Sequence, residues 1–281
     1  MEKQSEVLIV GYNRPEHLKK SLSSLLENAE NQNLLVRIWQ NGTHSETCKV
    51  IKEFQSHPSI SEIHWSKENV KLREPTNWLI KNSKADFIGK VDDDCLLPND
   101  WASQLINIHN NILESGYNPG MLGCWRFQDE DFRPDLAEKK IQTFNKIKIL
   151  RNPWVEGSGF LMPKNLTIEL GEIRKNETFT KYCIRAAKRG YINGWVYPFI
   201  HQIHMDDPRA KISMIKNQEE FEKYIPLSAI NFGAKNIDDW DQQLRKSAIT
   251  VQEAPYDPKY YGVWRSRIRR KILSFKQILG F

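Results

Sequence analysis

The most informative segment of the chain is an apolar stretch that ends in three consecutive aspartates, Phe87-Ile88-Gly89-Lys90-Val91-Asp92-Asp93-Asp94. The apolar residues predict a short buried strand. Because the carboxyl ends of strands in α/β proteins open into the ligand crevice, we expect the aspartates to face a cleft. Adjacent carboxylates repel one another unless a cation neutralises them, and oxygen ligands suit Mg²⁺ or Mn²⁺. The segment therefore predicts a metal–phosphate site, with a solvated acidic loop as the alternative.

Alternating strand and helix patterns surround this segment. A continuous apolar run at residues 7–10 predicts a strand buried on both faces, and apolar residues within 36–39 and 60–65 predict two further strands. Apolar residues at helical spacing follow each strand, and the first helix is predicted to open at Pro15 with Asn13 as its cap. The repeated strand–helix order predicts a doubly wound α/β fold with a mainly parallel sheet.

The second half of the chain has a less regular pattern. Strands are predicted near residues 121–125 and 191–200, and a helix between them ends at Gly190. The intervening residues 128–151 are polar and charged. We predict that they form a loop over the cleft.

Charge is distributed unevenly along the chain. It contains 41 lysine and arginine residues against 35 aspartate and glutamate residues, for a net charge of +6. Residues 265–281 hold six basic residues and no acidic one, so the rest of the chain is balanced at 35 of each sign. A neutral body disfavours nucleic acid as a partner. Four cysteines without a CxxC pair, no secretory signal and no apolar run of membrane-spanning length predict a cytoplasmic protein.

Five short motifs follow one another along the first 200 residues. They are residues 7–15 (Val-Leu-Ile-Val-Gly-Tyr-Asn-Arg-Pro), 40–43 (Gln-Asn-Gly-Thr), 68–77, 91–94 with Pro98, and 157–160 (Gly-Ser-Gly-Phe). This ordered set resembles the family 2 glycosyltransferases, which have the nucleotide-sugar-binding type A fold. The resemblance implies a Rossmann-like fold, a nucleotide-sugar donor and a divalent metal, Mn²⁺ or Mg²⁺.

The same resemblance implies roles for individual residues. Asp94 is the expected direct metal ligand, while Asp92 or Asp93 contacts the donor ribose or acts through water. Arg73 and Lys71 are the candidates for binding the diphosphate of the donor. The residues predicted to bind the donor nucleotide are Tyr12, Arg14, Asn41, Arg73, Asp92 and Asp93.

Two motifs depart from the family pattern. Gln40 and Asn41 stand where the family has two acidic residues in its nucleotide-base turn. An amide still hydrogen-bonds the edge of uracil, so a UDP-sugar is the favoured donor. The Glu-Asp catalytic pair of the family is represented only by Glu177, with an offset of one residue.

The acceptor hydroxyl needs a general base to remove its proton. We predict Glu177 as this base and Asp207 as a second catalytic residue. The alternatives are Glu172, Glu156 and Asp206, and any single glutamate is commonly just an exposed acidic residue.

A second cluster of ligand-type side chains occupies residues 201–208. Imidazole is a good ligand for Mn²⁺, and the resemblance implies a late histidine in the metal site. We predict His204 as that ligand, with His201 or a purely structural histidine as alternatives. Because prolines bracket the segment, a long helix carrying a zinc-type HxxH pair is not expected. Asp206 and Asp207 are alternatively expected to hold the histidine or the donor.

The C-terminal tail carries an apolar stripe on a basic background. Trp264, Ile268, Ile272, Phe275 and Leu279 recur at helical spacing among the six basic residues. Such a basic amphipathic helix suits an anionic membrane surface, and a helix docked on the body or on a second subunit is the alternative. We divide the chain into a catalytic domain, residues 1–215, and a C-terminal helical extension, residues 216–281.

These observations predict a metal-dependent, inverting glycosyltransferase. Its expected acceptor is a glycan or a polyprenyl-linked oligosaccharide in surface polysaccharide synthesis, at the inner face of the cell membrane. A non-catalytic glycan-binding or scaffold protein on the same fold is one alternative. A sugar nucleotidyltransferase is a weaker one, because residues 11–15 are not the glycine-rich basic loop which that class needs.

Overall fold

The computed structural model describes residues 3–261. Its strands are β1 (Ser5–Gly11), β2 (Leu34–Asn41), β3 (Ile60–Ser66), β4 (Phe87–Asp92), β5 (Cys95–Leu96), β6 (Pro119–Gly123), β7 (Ile141–Phe144), β8 (Ile147–Arg151), β9 (Phe160–Pro163), β10 (Ile192–Tyr197) and β11 (Ile203–His204). Its helices are α1 (Pro15–Leu26), α2 (Ser45–Phe54), α3 (Arg73–Asn82), α4 (Trp101–Glu114), α5 (Pro134–Ala137), α6 (Lys164–Leu170), α7 (Phe179–Lys188), α8 (Gln218–Tyr224), α9 (Leu227–Phe232) and α10 (Ile237–Glu253).

The large sheet has the strand order β3-β2-β1-β4-β9-β6-β10-β8-β7. Its first four strands are parallel, which confirms the predicted strand–helix alternation. The order runs from β1 through β2 to β3 and then resumes at β4 on the other side of β1. This reversal is a topological switch point, and ligands of open α/β sheets bind at the carboxyl ends of the strands beside it.

Both faces of the sheet are covered, because alternate residues of β1 enter two different cores. Val7 and Ile9 pack into a core shared with α1, α2 and α4. Leu8 and Val10 enter a second core shared with α3, α6 and α7. A strand buried on both faces needs a continuous apolar run, as residues 7–10 provide. With helices on both faces of the sheet, the predicted doubly wound α/β fold is confirmed.

The prediction of a loop at residues 128–151 is wrong. This segment includes the antiparallel hairpin β7–β8, which extends the sheet because β8 pairs with β10. Ile149 and Leu150 of β8 are buried. The positive φ of Asn145 closes the hairpin. Polar residues between these apolar ones concealed the strand pattern.

Residues 216–261 include the helices α8, α9 and α10. A small core of Ile215, Phe221 and Trp240 holds these helices together. The C-terminal end of α10 is hydrogen-bonded to the residue before β7, because the Lys140 amine donates to the carbonyl oxygens of Val251 and Gln252. The division at residue 215 remains a prediction. The tail helix predicted at residues 264–279 lies outside the described residues.

No helix within residues 3–261 is both long enough and apolar enough to cross a bilayer.

Candidate active site

A pocket of about 520 Å³ opens at the carboxyl ends of β1 and β4, beside the switch point. The aspartate triplet, the turn after β1 and the loop after β3 supply its walls, and α9 closes one side. Its lining residues are Val10, Tyr12, Arg14, Asn41, Asn69, Lys71, Leu72, Asp92, Asp93, Asp94, Leu227, Ser228 and Asn231. Five of the six residues predicted to bind the donor nucleotide therefore line one pocket, and Arg73 does not.

His204 reaches the aspartates through a two-stranded sheet. β5 follows the triplet and pairs antiparallel with β11, so that His204 stands opposite Cys95. The backbone N–H of Met205 also donates to the carbonyl oxygen of Asp94, at 2.7 Å. The Nε2 atom of His204 lies 3.7 Å from Oδ2 of Asp94. By contrast, His201 is half exposed and pairs with Asp129.

Three side chains converge on one point at this junction. The candidate ligand atoms of Asp94, His204 and Asp206 all lie within 4.8 Å of one another. The side chain of Asp206 is fully shielded from solvent. Its Oδ2 atom nevertheless has no hydrogen-bond partner within residues 3–261. Two carboxylates and one imidazole form a donor set that suits Mn²⁺ or Mg²⁺. These residues therefore fit the divalent ion that the sequence predicts.

Arg14 supplies positive charge to the same carboxylates. Its guanidinium pairs with Asp206 and lies 3.2 Å from Asp94 and 3.8 Å from Asp93. The predicted cap at Asn13 is wrong, because Asn13 has a φ of 54° and α1 begins after Arg14 without a side-chain cap. This left-handed turn directs the chain from the end of β1 to Arg14 and α1.

The electrostatics of the triplet differ from one aspartate to the next. Burial disfavours the charge of Asp94, but His204 and Arg14 hold the pKa of its carboxyl well below the usual range. Burial, together with the charges of Asp94 and Asp92, raises the pKa of Asp93 well above that range despite Arg14. Asp94 is thus the member of this pair that is ready to bind a cation.

Asp92 is the most exposed of the three aspartates and is fixed by its neighbours. The Lys90 amine pairs with its carboxylate, and its backbone N–H donates to Oγ of Ser158 at 2.9 Å. On the other side, the hydroxyl of Ser21 in α1 donates to the carbonyl oxygens of Asp92 and Cys95. The turn that carries the triplet is therefore held by both α1 and the loop before β9.

Asn41 organises the wall of the pocket next to β2. Its side-chain amide donates to Oδ1 of Asn69 and to the carbonyl oxygen of Lys71, while its own oxygen accepts from the N–H of Val70. Gln40 instead points away from the pocket, into the core near Gly11. Asn41 therefore shapes the loop of residues 69–71, which supplies the contact surface.

Arg73 and Glu177 lie away from the pocket. Arg73 is exposed and donates to the carbonyl oxygen of Lys175. Glu177 is held by Arg185, whose guanidinium donates to both carboxylate oxygens at 2.9 and 2.8 Å. Burial opposes the charge of Glu177, but Arg185 and the N–H of Arg174 lower the pKa of its carboxyl. A catalytic role for Glu177 remains a prediction.

Asp207 points away from Asp206, its neighbour in sequence. Both of its oxygens are satisfied by Arg209 and by the side-chain amide of Gln128 at 3.0 Å. Arg209 also pairs with Asp131 and Asp241. A catalytic role for Asp207 likewise remains a prediction.

Sequence reasoning missed several residues of this site. His17, one turn into α1, is fully buried and its Nε2 lies 3.1 Å from Oδ1 of Asp206. The only available signal was a histidine in α1 close to Arg14. Leu227, Ser228 and Asn231 gave no signal, because they reach the pocket only when α9 folds back over it.

Comparisons with known proteins agree with this geometry. Residues 6–123 match the family model described as glycosyl transferase family 2. No curated protein sequence matches the chain. The matched residues span β1 to β6 and include the aspartate triplet.

Solved structures share the fold over most of the chain. The mannosyltransferase PcManGT from Pyrobaculum calidifontis, solved with GDP-Man and Mn²⁺, superposes with a TM-score of 0.59 and 14% identity, covering 99% of this chain and 81% of that one. S. aureus TarS 1-349 superposes with a TM-score of 0.52 and 11% identity, covering 89% and 80%. At these identities the likeness establishes the glycosyltransferase A fold.

Proposed function

We propose that this chain, whose residues 6–123 match the model of glycosyl transferase family 2, transfers a sugar from a nucleotide-sugar donor to a glycan or lipid-linked oligosaccharide. The observation that carries this proposal is the meeting of Asp94, His204 and Asp206 at the rim of a pocket on the switch point of the sheet. In this arrangement a metal-binding set and a nucleotide-sized pocket share one edge.

The proposed metal ligands are Asp94, His204 and Asp206. A divalent ion bound there would neutralise the departing diphosphate as a Lewis acid. Arg14 holds the carboxylates of Asp94 and Asp206 together and adds a second positive charge on the pocket side. This clustering of charge is the feature that glycosyl transfer requires, because negative charge develops on the leaving diphosphate.

The proposed nucleoside site is the wall made by Tyr12, Asn41 and the loop of residues 69–71. Asn41 uses its amide to fix that loop, so the backbone of the loop and the ring of Tyr12 are the surfaces left for the base. Asp92, about one-third exposed, is the candidate contact for the ribose. The sequence favours a uridine nucleotide, whereas PcManGT was solved with GDP-Man, so donors of both classes belong in the test.

The proposal is tested by a donor screen that measures release of nucleoside diphosphate. The purified protein is incubated with UDP-glucose, UDP-galactose, UDP-N-acetylglucosamine and GDP-mannose, with Mn²⁺, with Mg²⁺ or with EDTA. We expect release from one donor class with a divalent ion and its loss with EDTA. Absence of release from every donor with both ions would contradict the proposal.

The proposed acceptor side includes an anionic membrane surface, with a role in surface polysaccharide synthesis. The support is the group of six basic residues within 265–281, since each basic residue near such a surface contributes about 1 kcal/mol of attraction. A lipid-linked acceptor would be presented at that surface.

Vesicle sedimentation tests the membrane contact. In the tail variant, glutamine replaces the six basic residues of 265–281 within the whole chain. In the control variant, glutamine replaces six exposed lysines of the described residues: Lys49, Lys52, Lys67, Lys84, Lys181 and Lys188. We expect only the tail variant to lose binding to vesicles that contain phosphatidylglycerol. Equal binding by wild type and tail variant would contradict the membrane contact.

A further inference from the structure

The loop before β9 carries a carboxylate, Glu156, that has no assigned role and lies near the carboxyl end of β4. β9 runs antiparallel to β4, with Phe160 opposite Lys90. The loop residues just before β9 continue this contact with β4. The N–H of Gly159 donates to the carbonyl oxygen of Lys90, and Oγ of Ser158 accepts from the N–H of Asp92. Residue 156 lies two positions before Ser158, so the loop carries it past the carboxyl end of β4, where the aspartate triplet follows.

Glu156 faces one cationic partner, Arg126, without a hydrogen bond between the two side chains. Its Oε1 lies 3.9 Å from Nε of Arg126, too far for a hydrogen bond. Its Oε2 is buried and has no hydrogen-bond partner in the described part of the chain, and the same is true of Nε of Arg126. The side chain is 14% exposed. A shielded carboxylate oxygen without a hydrogen-bond partner is uncommon and indicates that a water molecule, a ligand or a reaction uses it.

The surroundings of Glu156 also favour proton uptake. Burial raises the pKa of its carboxyl above the usual value, although Arg126 opposes this. His204 lies within electrostatic range of Glu156, which connects this side chain to the candidate metal ligands. A raised pKa brings a carboxylate closer to the neutral pH at which a general base is most effective.

We infer that Glu156 is the catalytic residue that accepts the proton of the acceptor hydroxyl, an inference that rests on the proposed glycosyl transfer. The acceptor oxygen forms a bond to the anomeric carbon of the donor sugar while the bond from that carbon to the diphosphate breaks. The electron pair leaves with the diphosphate, and the hydroxyl proton passes to Oε2 of Glu156.

The position of Glu156 outside the donor pocket is consistent with this role. The pocket lining includes the triplet but not Glu156. In a direct displacement the acceptor approaches the anomeric carbon on the side opposite the diphosphate, so the base belongs to a different wall from the residues that hold the nucleotide. The loop of residues 156–159 provides such a wall.

Glu177 is the competing assignment, and its contacts differ from those of Glu156. Arg185 occupies both oxygens of Glu177, and with the Arg174 N–H it lowers the pKa of this carboxyl, despite the opposing effect of burial. To accept a proton, Glu177 would first have to leave Arg185. Glu156 has a vacant oxygen and needs no such rearrangement.

The test compares Glu156→Gln with wild type, using the donor that wild type cleaves in the presence of Mn²⁺ and water as the acceptor. We expect the release rate to fall by at least about 100-fold, because general-base catalysis contributes roughly 10²- to 10⁴-fold. Binding of the matching nucleoside diphosphate with Mn²⁺ should stay within about twofold, because Glu156 does not line the donor pocket. The matched control is Glu169→Gln, an exposed glutamate paired with Arg189, which should keep the wild-type rate.

Two further variants make the result decisive. Glu156→Asp keeps a carboxylate and should give a rate between those of wild type and Glu156→Gln. The inference is overturned if Glu156→Gln keeps its rate, if it loses nucleotide binding together with its rate, or if only Glu177→Gln loses turnover. A wild-type protein that cleaves no donor would count against the proposed function instead.

Discussion

Asp206 and Asp207 are neighbours in sequence, yet they belong to two regions with opposite character. Asp206 joins the Asp94 cluster, which consists of Arg14, His17, Asp94, His204 and Asp206. Asp207 joins the Arg209 cluster, which consists of Asp131, Asp207, Arg209 and Asp241. Both aspartates are almost completely buried, so burial alone does not distinguish their roles.

The two regions differ in how their carboxylates are satisfied. Each oxygen of Asp207 accepts hydrogen bonds from Arg209, and Gln128 supplies one more. Asp206 shares one oxygen between Arg14 and His17, and its other oxygen has no partner among the residues the structure describes. A buried carboxylate that is fully paired stabilises the fold, whereas one with a vacant oxygen is available to a cation. The same distinction separates Glu177 from Glu156.

The largest effect is expected from Asp94→Ala in the Asp94 cluster. Loss of this carboxylate should remove Mn²⁺ binding and reduce turnover by about 10³-fold or more, because a Lewis acid contributes several kcal/mol to the transition state. Calorimetric Mn²⁺ titration and the rate of nucleoside diphosphate release measure the two effects. Asp135→Ala, an exposed aspartate paired with Arg133, is the matched control. Unchanged Mn²⁺ affinity in Asp94→Ala would remove the metal assignment.

The opposite pattern is expected from Asp207→Asn in the Arg209 cluster. Removing one charge leaves Arg209 buried with less compensation, which should lower the free energy of unfolding by about 3 kcal/mol. Affinity for Mn²⁺ should stay within about twofold, because the oxygens of Asp207 face Arg209 rather than Asp94. Urea denaturation and Mn²⁺ titration measure the two quantities. If affinity falls strongly while stability is kept, the two clusters are not distinct.

His17→Phe probes how the Asp94 cluster is held together. The phenyl ring fills the same buried space but cannot bond Asp206, so this carboxylate loses one of its supports. We expect Mn²⁺ affinity to weaken by roughly 10- to 100-fold, the usual effect of losing a side chain that orients a metal ligand. His109→Phe is the control, since His109 is equally buried but bonds the backbone of Leu161. Equal affinities in the two variants would show that His17 has no part in positioning Asp206.

Much of the fold and part of the site were accessible from the sequence. The strands β1, β2 and β4 are rich in apolar residues because both of their faces are buried, and this pattern is visible in the sequence. The triplet follows directly from β4, so its place at the sheet edge could be predicted from the topology alone. The predicted resemblance to family 2 is borne out by the family match of residues 6–123, and the predicted type A fold is confirmed by the shared fold.

The features that sequence reasoning missed depend on contacts between distant residues. The pairing of β5 with β11 involves only two residues on each strand, too few for a periodic pattern, although it brings His204 to Asp94. The different orientations of Asp206 and Asp207 also have no signal in sequence. Their positions depend on the turn after β11 and on Trp240, whose indole N–H donates to the carbonyl oxygen of Asp206.

A smaller effect is expected where a buried side chain forms no ion pair with any of residues 3–261. His109 in α4 is buried, and burial lowers its pKa to about 3 despite its bond to Leu161. Below the unfolded-state pKa of about 6.5 the unfolded chain binds the proton that the folded chain refuses, so stability falls as the pH falls. Between about pH 7 and pH 5.5 this linkage should remove about 1 kcal/mol of unfolding free energy.

The comparison between wild type and His109→Phe isolates that term. Urea denaturation at the two pH values should show a decline in wild type that is about 1 kcal/mol steeper than in His109→Phe, because the phenyl ring has no proton to bind. Asp207→Asn should keep the wild-type slope over this interval, since its partner Arg209 stays charged throughout. Parallel declines in wild type and His109→Phe would mean that His109 gains a compensating partner on protonation. Burial without a counter-charge would then not be what keeps this histidine neutral.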